Sequence, residues 1–214
     1  MTQPLHLGVI LYPGFELLDV FGPLEMFNSV GRERLITHVV AERSGPVAAG
    51  TVPDGPIGPQ VLAEFGFDDA PALDLLLVPG GIGTFSELDN DALLAFLRTR
   101  ATSAQITMAV CTGSALLARA GILDGHRATS NKQVFSLATA QSDKVDWVTA
   151  ARWVDDGAVV TSSGVSAGMD MALAVIARLF GAETADAISI GTEYTQHRDP
   201  NNDPFVAYLN QMKI

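Results

Sequence analysis

Cys111 is the only cysteine in the chain, and it stands in Gln-Ile-Thr-Met-Ala-Val-Cys-Thr-Gly-Ser-Ala-Leu-Leu-Ala. The apolar run Ile106–Val110 ends at the thiol, and Thr112-Gly113-Ser114 opens an apolar pattern of helical period. That order of residues predicts a strand, a tight turn and a helix, with a nucleophile lifted above the sheet edge. The helix start would favour a thiolate there. A lone cysteine also occurs as a small buried hydrophobe, so its neighbours must decide. The second candidate is Asp19, a carboxylate among Leu17, Leu18, Val20 and Phe21. Apolar surroundings raise a carboxyl pKa and keep a proton available for donation. The competing reading makes Asp19 the cap of a helix that Pro23 begins. Glu16 is a further carboxylate, placed nearer solvent by its neighbours.

Backbone donors complete the candidate chemistry. Gly80-Gly81 follows an apolar run and Pro79, and glycines there allow amides to approach a ligand closely, as an oxyanion site requires. The N–H of Thr112 is a second such donor, and its hydroxyl could position water or substrate. The four histidines, His6, His38, His126 and His197, lack the spacing of a zinc site. No phosphate loop or dinucleotide fingerprint is present. Neither a metal nor a cofactor is expected.

These residues need strands that end at one rim. Leu5–Tyr12, Thr37–Ala41, Leu73–Val78, Ile106–Val110 and Ala158–Thr161 read as strands. Helices are expected from Gly22-Pro23, over Leu88–Thr99 behind caps at Ser86, Asp89 or Asn90, and after Cys111 as far as Gly121. Two more are expected over Asn131–Ala140 and Met169–Phe180. Gly45–Gly66 reads as short strands or loops. Strands alternating with helices imply an α/β fold with a parallel sheet covered on both faces. In such a sheet ligands bind beyond the carboxyl ends of the strands. Asp19, Gly80-Gly81, Cys111-Thr112 and Ser163-Gly164-Val165 should therefore converge. Tyr194–Pro204 is polar and turn-rich, and reads as a surface arm or part of a subunit contact.

Composition narrows the partners. The chain has 214 residues, 48% of them hydrophobic, and a formal net charge of -11. Nucleic acid is disfavoured, because phosphate binding needs clustered Lys and Arg. No apolar run reaches the roughly 18 residues of a membrane helix, and the N-terminus has no signal-peptide pattern. A single cysteine fits a reducing compartment. The expectation is one cytoplasmic domain over residues 1–214 that acts on a small molecule, with neither nucleic acid nor membrane as a partner.

The motifs taken together resemble the DJ-1/PfpI superfamily, a branch of the class I glutamine-amidotransferase-like, flavodoxin-like folds. They are Asp19 before Gly22-Pro23, Val78-Pro79-Gly80-Gly81, Ala109-Val110-Cys111-Thr112-Gly113-Ser114, Gly121-Ile122-Leu123-Asp124-Gly125, Arg127-Ala128-Thr129 and Ser163 to Asp170. The likeness covers roughly residues 5–181. Within that superfamily the chain most resembles the isonitrile hydratases, which pair the elbow cysteine with an aspartate and have Thr after the cysteine. The resemblance implies a homodimer in which Cys111 is the nucleophile, Asp19 the acid/base and Thr112 a polar helper. Gly81 and Val165 would line the pocket through backbone groups. Relatives often carry histidine where this chain has Asn131, and Asn131 cannot serve as a base, which weakens a Cys–His dyad reading. Two alternatives stand beside the hydratase. One is a glyoxalase- or deglycase-type cysteine enzyme, and the other is a non-enzymatic small-molecule or redox sensor.

Overall fold

A computed structural model describes residues 3–50 and 58–212. The chain runs β1 (Leu5–Ile10), α1 (Leu17–Asn28), β2 (Leu35–Val40), β3 (Gly45–Ala48), β4 (Gln60–Ala63), β5 (Leu75–Val78) and α2 (Thr84–Glu87). It continues through α3 (Asp91–Ala101), β6 (Ile106–Ala109), α4 (Gly113–Arg119), β7 (Arg127–Ala128), α5 (Phe135–Thr139) and β8 (Asp146–Trp147). Then come β9 (Trp153–Asp156), β10 (Val159–Ser162), α6 (Ala167–Phe180) and α7 (Ala182–Gly191), followed by a 3-10 helix over Pro204–Tyr208. Six strands form the central sheet in the order β2-β1-β5-β6-β10-β9. All neighbours are parallel except β9, which runs antiparallel to β10 at the edge.

The strands at the sheet's centre are short and wholly apolar-facing because both faces are covered. Each residue of β5 and β6 is buried, Thr107 included. Phe15, Phe27, Leu93, Leu97, Leu116 and Ile176 from the flanking segments close one continuous core over the two faces. Asn90 caps α3 by accepting from the N–H groups of Ala92 and Leu93, worth about 1 kcal/mol. Ser86 and Asp89, the other cap candidates, lie in α2 and the turn after it. Of the Gly45–Gly66 stretch, β3 and β4 form an antiparallel pair, and residues 51–57 lie outside the described residues.

The structure differs from the sequence reading at three places that matter for the site. Helix α1 starts six residues before Pro23 and carries it inside. Proline is tolerated there because α1 packs closely on α6. A Cβ at Gly168 would sit 3.1 Å from Pro23 Cγ, and one at Gly22 would sit 2.9 Å from Met169. Tertiary packing thus overrides the breaker signal. The helix expected over Asn131–Ala140 shrinks to α5, and Asn131 lies in the preceding turn. Finally, the polar stretch after Tyr194 is docked on the body. Asp203 is buried, and Arg152 donates its backbone N–H to Pro200 O at 2.7 Å. Among the described residues no helix is long and apolar enough to cross a membrane.

Candidate active site

Four strand ends meet at the carboxyl rim, as the punctuation of the sequence requires. β1 leads to the first turn of α1 with Asp19, β5 to Gly80 and Gly81, β6 to Cys111 and Thr112, and β10 to Gly164 and Val165. Cys111 sits at φ +58, the left-handed region that costs a non-glycine residue about 1–2 kcal/mol. The surroundings fix it in that conformation. Its N–H donates to Ser163 O at 3.1 Å. Its carbonyl accepts from the hydroxyls of Ser114 at 3.0 Å and Ser130 at 3.1 Å. Both main-chain polar groups of the turn are thereby satisfied, and the side chain is left to project. Val165, across from it, is also held at positive φ, +45.

Asp19 is not a helix cap. Glu16 occupies the cap position, and Asp19 lies within the first turn, fully buried. Its Oδ2 accepts the Gly80 N–H at 2.8 Å. Its Oδ1 is buried with no hydrogen-bond partner among the described residues. Burial pushes this carboxyl up to about 8, against the Gly80 hydrogen bond, which favours the anion. Asp19 is therefore mainly a neutral acid at pH 7, with Oδ1 open for proton exchange. The Cys111 thiol beside it is also pushed up, first by burial and then by the charge Asp19 would carry. Three donors oppose that push: the Asn131 side-chain amide and the backbone N–H groups of Thr112 and Val165.

The backbone donors at Gly80 and Gly81 are both engaged by side chains of the site. Gly80 N–H is given to Asp19, and Gly81 N–H is given to Thr112 Oγ1 at 3.1 Å. Both amides position side chains of the site and are committed in this arrangement. Thr112 is equally committed. Its hydroxyl lies 2.8 Å from Thr84 Oγ1, which lies 3.0 Å from the Tyr12 hydroxyl, which donates to Pro79 O at 2.7 Å. Carbonyls stand at both ends, Pro79 O at 2.7 Å from the Tyr12 hydroxyl and Gly81 O at 3.5 Å from Thr112 Oγ1. The much shorter contact makes Tyr12 the last donor, so the hydrogens upstream follow in order. Thr84 then donates to Tyr12, and Thr112 donates to Thr84. The Thr112 hydrogen is thus engaged with Thr84, and the hydroxyl braces the turn.

Packing at Gly80 explains why that position lacks a side chain. A Cβ there would lie 2.5 Å from both Thr112 N and Thr112 Oγ1 and 3.0 Å from Asp19 Oδ2. Gly80→Ala is expected to displace acid and nucleophile together, costing about 1–3 kcal/mol of stability. Any Cys111- and Asp19-dependent turnover should fall by roughly tenfold or more. Steady-state kinetics together with thermal melts check this, and an alanine variant of unchanged rate would contradict the geometry.

Sequence reasoning undervalued one residue. Asn131 donates from Nδ2 to Cys111 Sγ at 3.1 Å. The sequence marked it only as a missing histidine, because a contact across a loop leaves no periodic signal. Among the described residues, no cluster of three or more His, Cys, Asp or Glu side chains is arranged to hold a metal ion.

Comparison with known proteins places this arrangement. Residues 7–178 match the profile described as the DJ-1/PfpI family. An isonitrile hydratase of Pseudomonas putida is 33% identical over 89% of this chain and 78% of the relative. The HTH-type transcriptional regulator GbdR of Pseudomonas aeruginosa is also 33% identical, over 87% of this chain, which spans only 50% of the regulator. Among solved structures, a ThiJ/PfpI family protein from Pseudomonas syringae superposes with a TM-score of 0.76 at 28% identity. That match covers 91% of this chain and 76% of the other.

Proposed function

The chain belongs to the DJ-1/PfpI family, and from that premise we propose that it hydrates a small organic isonitrile to the N-substituted formamide. Cys111 acts as covalent nucleophile and Asp19 as acid/base, without a cofactor. The observation that carries the reading is a buried carboxyl, held neutral near pH 7, beside a cysteine at a strained turn. An isonitrile carbon needs two things at once, a nucleophile and a proton. The Cys111–Asp19 pair holds both.

In the first step the Cys111 sulfur bonds to the terminal isonitrile carbon. That carbon takes the Asp19 proton, and Asp19 recovers the proton that leaves the thiol. The product is a thioimidate, in which nitrogen is doubly bonded to a carbon bearing hydrogen and sulfur. Water then adds, its oxygen to that carbon and one proton to nitrogen, with Asp19 carrying the proton. The C–S bond breaks, sulfur regains its proton, and the formamide leaves. One isonitrile and one water give one formamide, and the protein returns unchanged. Gly80 N–H steadies Asp19 Oδ2 throughout, and the hydroxyl chain from Thr112 keeps Gly81 beneath the turn. The test is to mix the purified chain with p-nitrophenyl isocyanide and follow p-nitroformanilide. Turnover is expected to fall as pH rises through about 8, where Asp19 loses its proton. No product above the uncatalysed rate at any pH would sink the reading.

The likeness to GbdR favours one second reading, a ligand-sensing module. In that case the pocket binds its small molecule without turnover, and Cys111 need not react. Saturable binding of the isonitrile with no formamide formed would favour it.

A further inference from the structure

Asn131 is held as firmly as the nucleophile it touches. Its Oδ1 accepts the N–H of Gln133 at 2.8 Å and that of Val134 at 3.4 Å. With the oxygen engaged by its own turn, the NH2 end must face the Cys111 sulfur, and the orientation is not interchangeable. Gly164 leaves the room this amide needs, since a Cβ there would lie 2.6 Å from Asn131 Nδ2. A side-chain amide can donate but cannot take a proton. It therefore favours sulfur when anionic and leaves proton traffic to Asp19.

The next residue, Lys132, anchors this turn from below. Its side chain is 1% exposed. Its Nζ donates to Thr129 Oγ1 and Ala151 O, both at 2.7 Å, and lies 3.8 Å from Asp203 Oδ2. Asp203 belongs to the docked C-terminal segment, with Arg152 at 4.0 Å on its other oxygen. The same segment grips the turn through its main chain. Asn210 N–H donates to Lys132 O at 2.8 Å, Met212 N–H to Gln133 O at 3.2 Å, and Asn210 Oδ1 accepts Ser136 N–H at 2.7 Å. Desolvating both charges of a buried ion pair usually offsets what their attraction gains, and fixing register is its best-attested use. Here the register it fixes is that of the Asn131 turn.

We propose that Asn131 is a catalytic residue that stabilises the Cys111 sulfur as it becomes anionic. The buried Lys132–Asp203 pair, closed by the C-terminal segment, is its positioning device. This deepens the hydratase reading by naming a third group at sulfur, yet its central prediction concerns the thiol alone. The titratable groups facing that thiol are Asp19 from α1 and Tyr12 from the end of β1, and both stay unchanged in the variants below.

The test follows alkylation of Cys111 by iodoacetamide between pH 6 and 10, by intact mass, in the full chain. Asn131→Ala is expected to slow alkylation about tenfold at pH 8 and to move the profile to higher pH. Asp203→Asn should move it in the same direction. Adding Asp203→Asn to Asn131→Ala should change nothing further, because both act through one hydrogen bond. Where Asp203→Asn melts too low to assay, Asn210→Ala, which removes the acceptor for Ser136, replaces it. An Asn131→Ala profile superimposable on wild type overturns the catalytic role. A shift by Asp203→Asn that adds fully to that of Asn131→Ala, or no shift at all, overturns the positioning role. With p-nitrophenyl isocyanide, the same variants should lose kcat with little change in KM. If alkylation shifts as expected while wild type forms no formamide, the hydratase reading fails and Asn131 keeps its place at the thiolate.

Discussion

Asp19→Asn is expected to reduce isonitrile turnover by about a hundredfold to ten-thousandfold, the usual worth of a positioned acid/base. The same substitution is expected to make the protein more stable at neutral pH. Activity falls because an amide has no proton to deliver to the isonitrile carbon. Stability rises for a separate reason. The carboxyl is raised to about 8 by burial in the folded chain and returns to the usual carboxylate range on unfolding. Between those values the folded state holds a proton that the unfolded state has released. The stability contributed is complete at low pH and is lost as pH climbs toward 8, at up to about 1.4 kcal/mol per pH unit. Asparagine does not titrate, so its melting temperature should diverge upward from wild type across that window. A pH series of melts on both proteins checks it. A difference that stays constant from pH 5 to 8 would mean that Asp19 is ionised in the fold, and that it is not the acid.

Cys111→Ala is expected to abolish turnover, by about 10⁴-fold or more, since the neighbouring hydroxyls of Thr112, Ser114 and Ser130 are engaged in hydrogen bonds and do not replace the thiol. The left-handed backbone at this position adds a second, less usual outcome. Alanine relieves none of the strain at φ +58, whereas glycine does. Cys111→Gly should therefore be as inactive as Cys111→Ala but more stable than it, by about 1 kcal/mol. That reverses the order expected in ordinary structure. Paired melts of the two variants decide this. Alanine equal to or above glycine would show that the turn is held without strain. Residual turnover in either variant would move the chemistry elsewhere.

The site's outline was readable in the sequence because its parts are local. An apolar run ending in Cys-Thr-Gly-Ser states a strand-to-helix turn, and Val-Pro-Gly-Gly marks another strand end. A parallel sheet brings such ends together without further information. What escaped the sequence is non-local. That the amides of Gly80 and Gly81 are occupied depends on Asp19 and Thr112, which reach them from other elements. The start of α1 escaped because Pro23 is a boundary signal that packing against α6 overrules. Asn131 reads as a deficit until Cys111 is placed opposite it. Asp203 reads as one more acidic residue in a polar tail until Lys132 and Arg152 are found beneath it.

The hydroxyls of Tyr12, Thr84 and Thr112 have a mechanical meaning beyond the bracing of one side chain. Within a sheet, strand spacing is ordinarily set by main-chain pairing, which ceases where the strands stop. Past that point the ends of β1, β5 and β6 are laced together by three side-chain oxygens whose hydrogens all run one way. The interval between acid and nucleophile thus has a fixed width at its root. Substitutions that change what projects into it leave that width intact, whereas loss of any one hydroxyl slackens the whole rim.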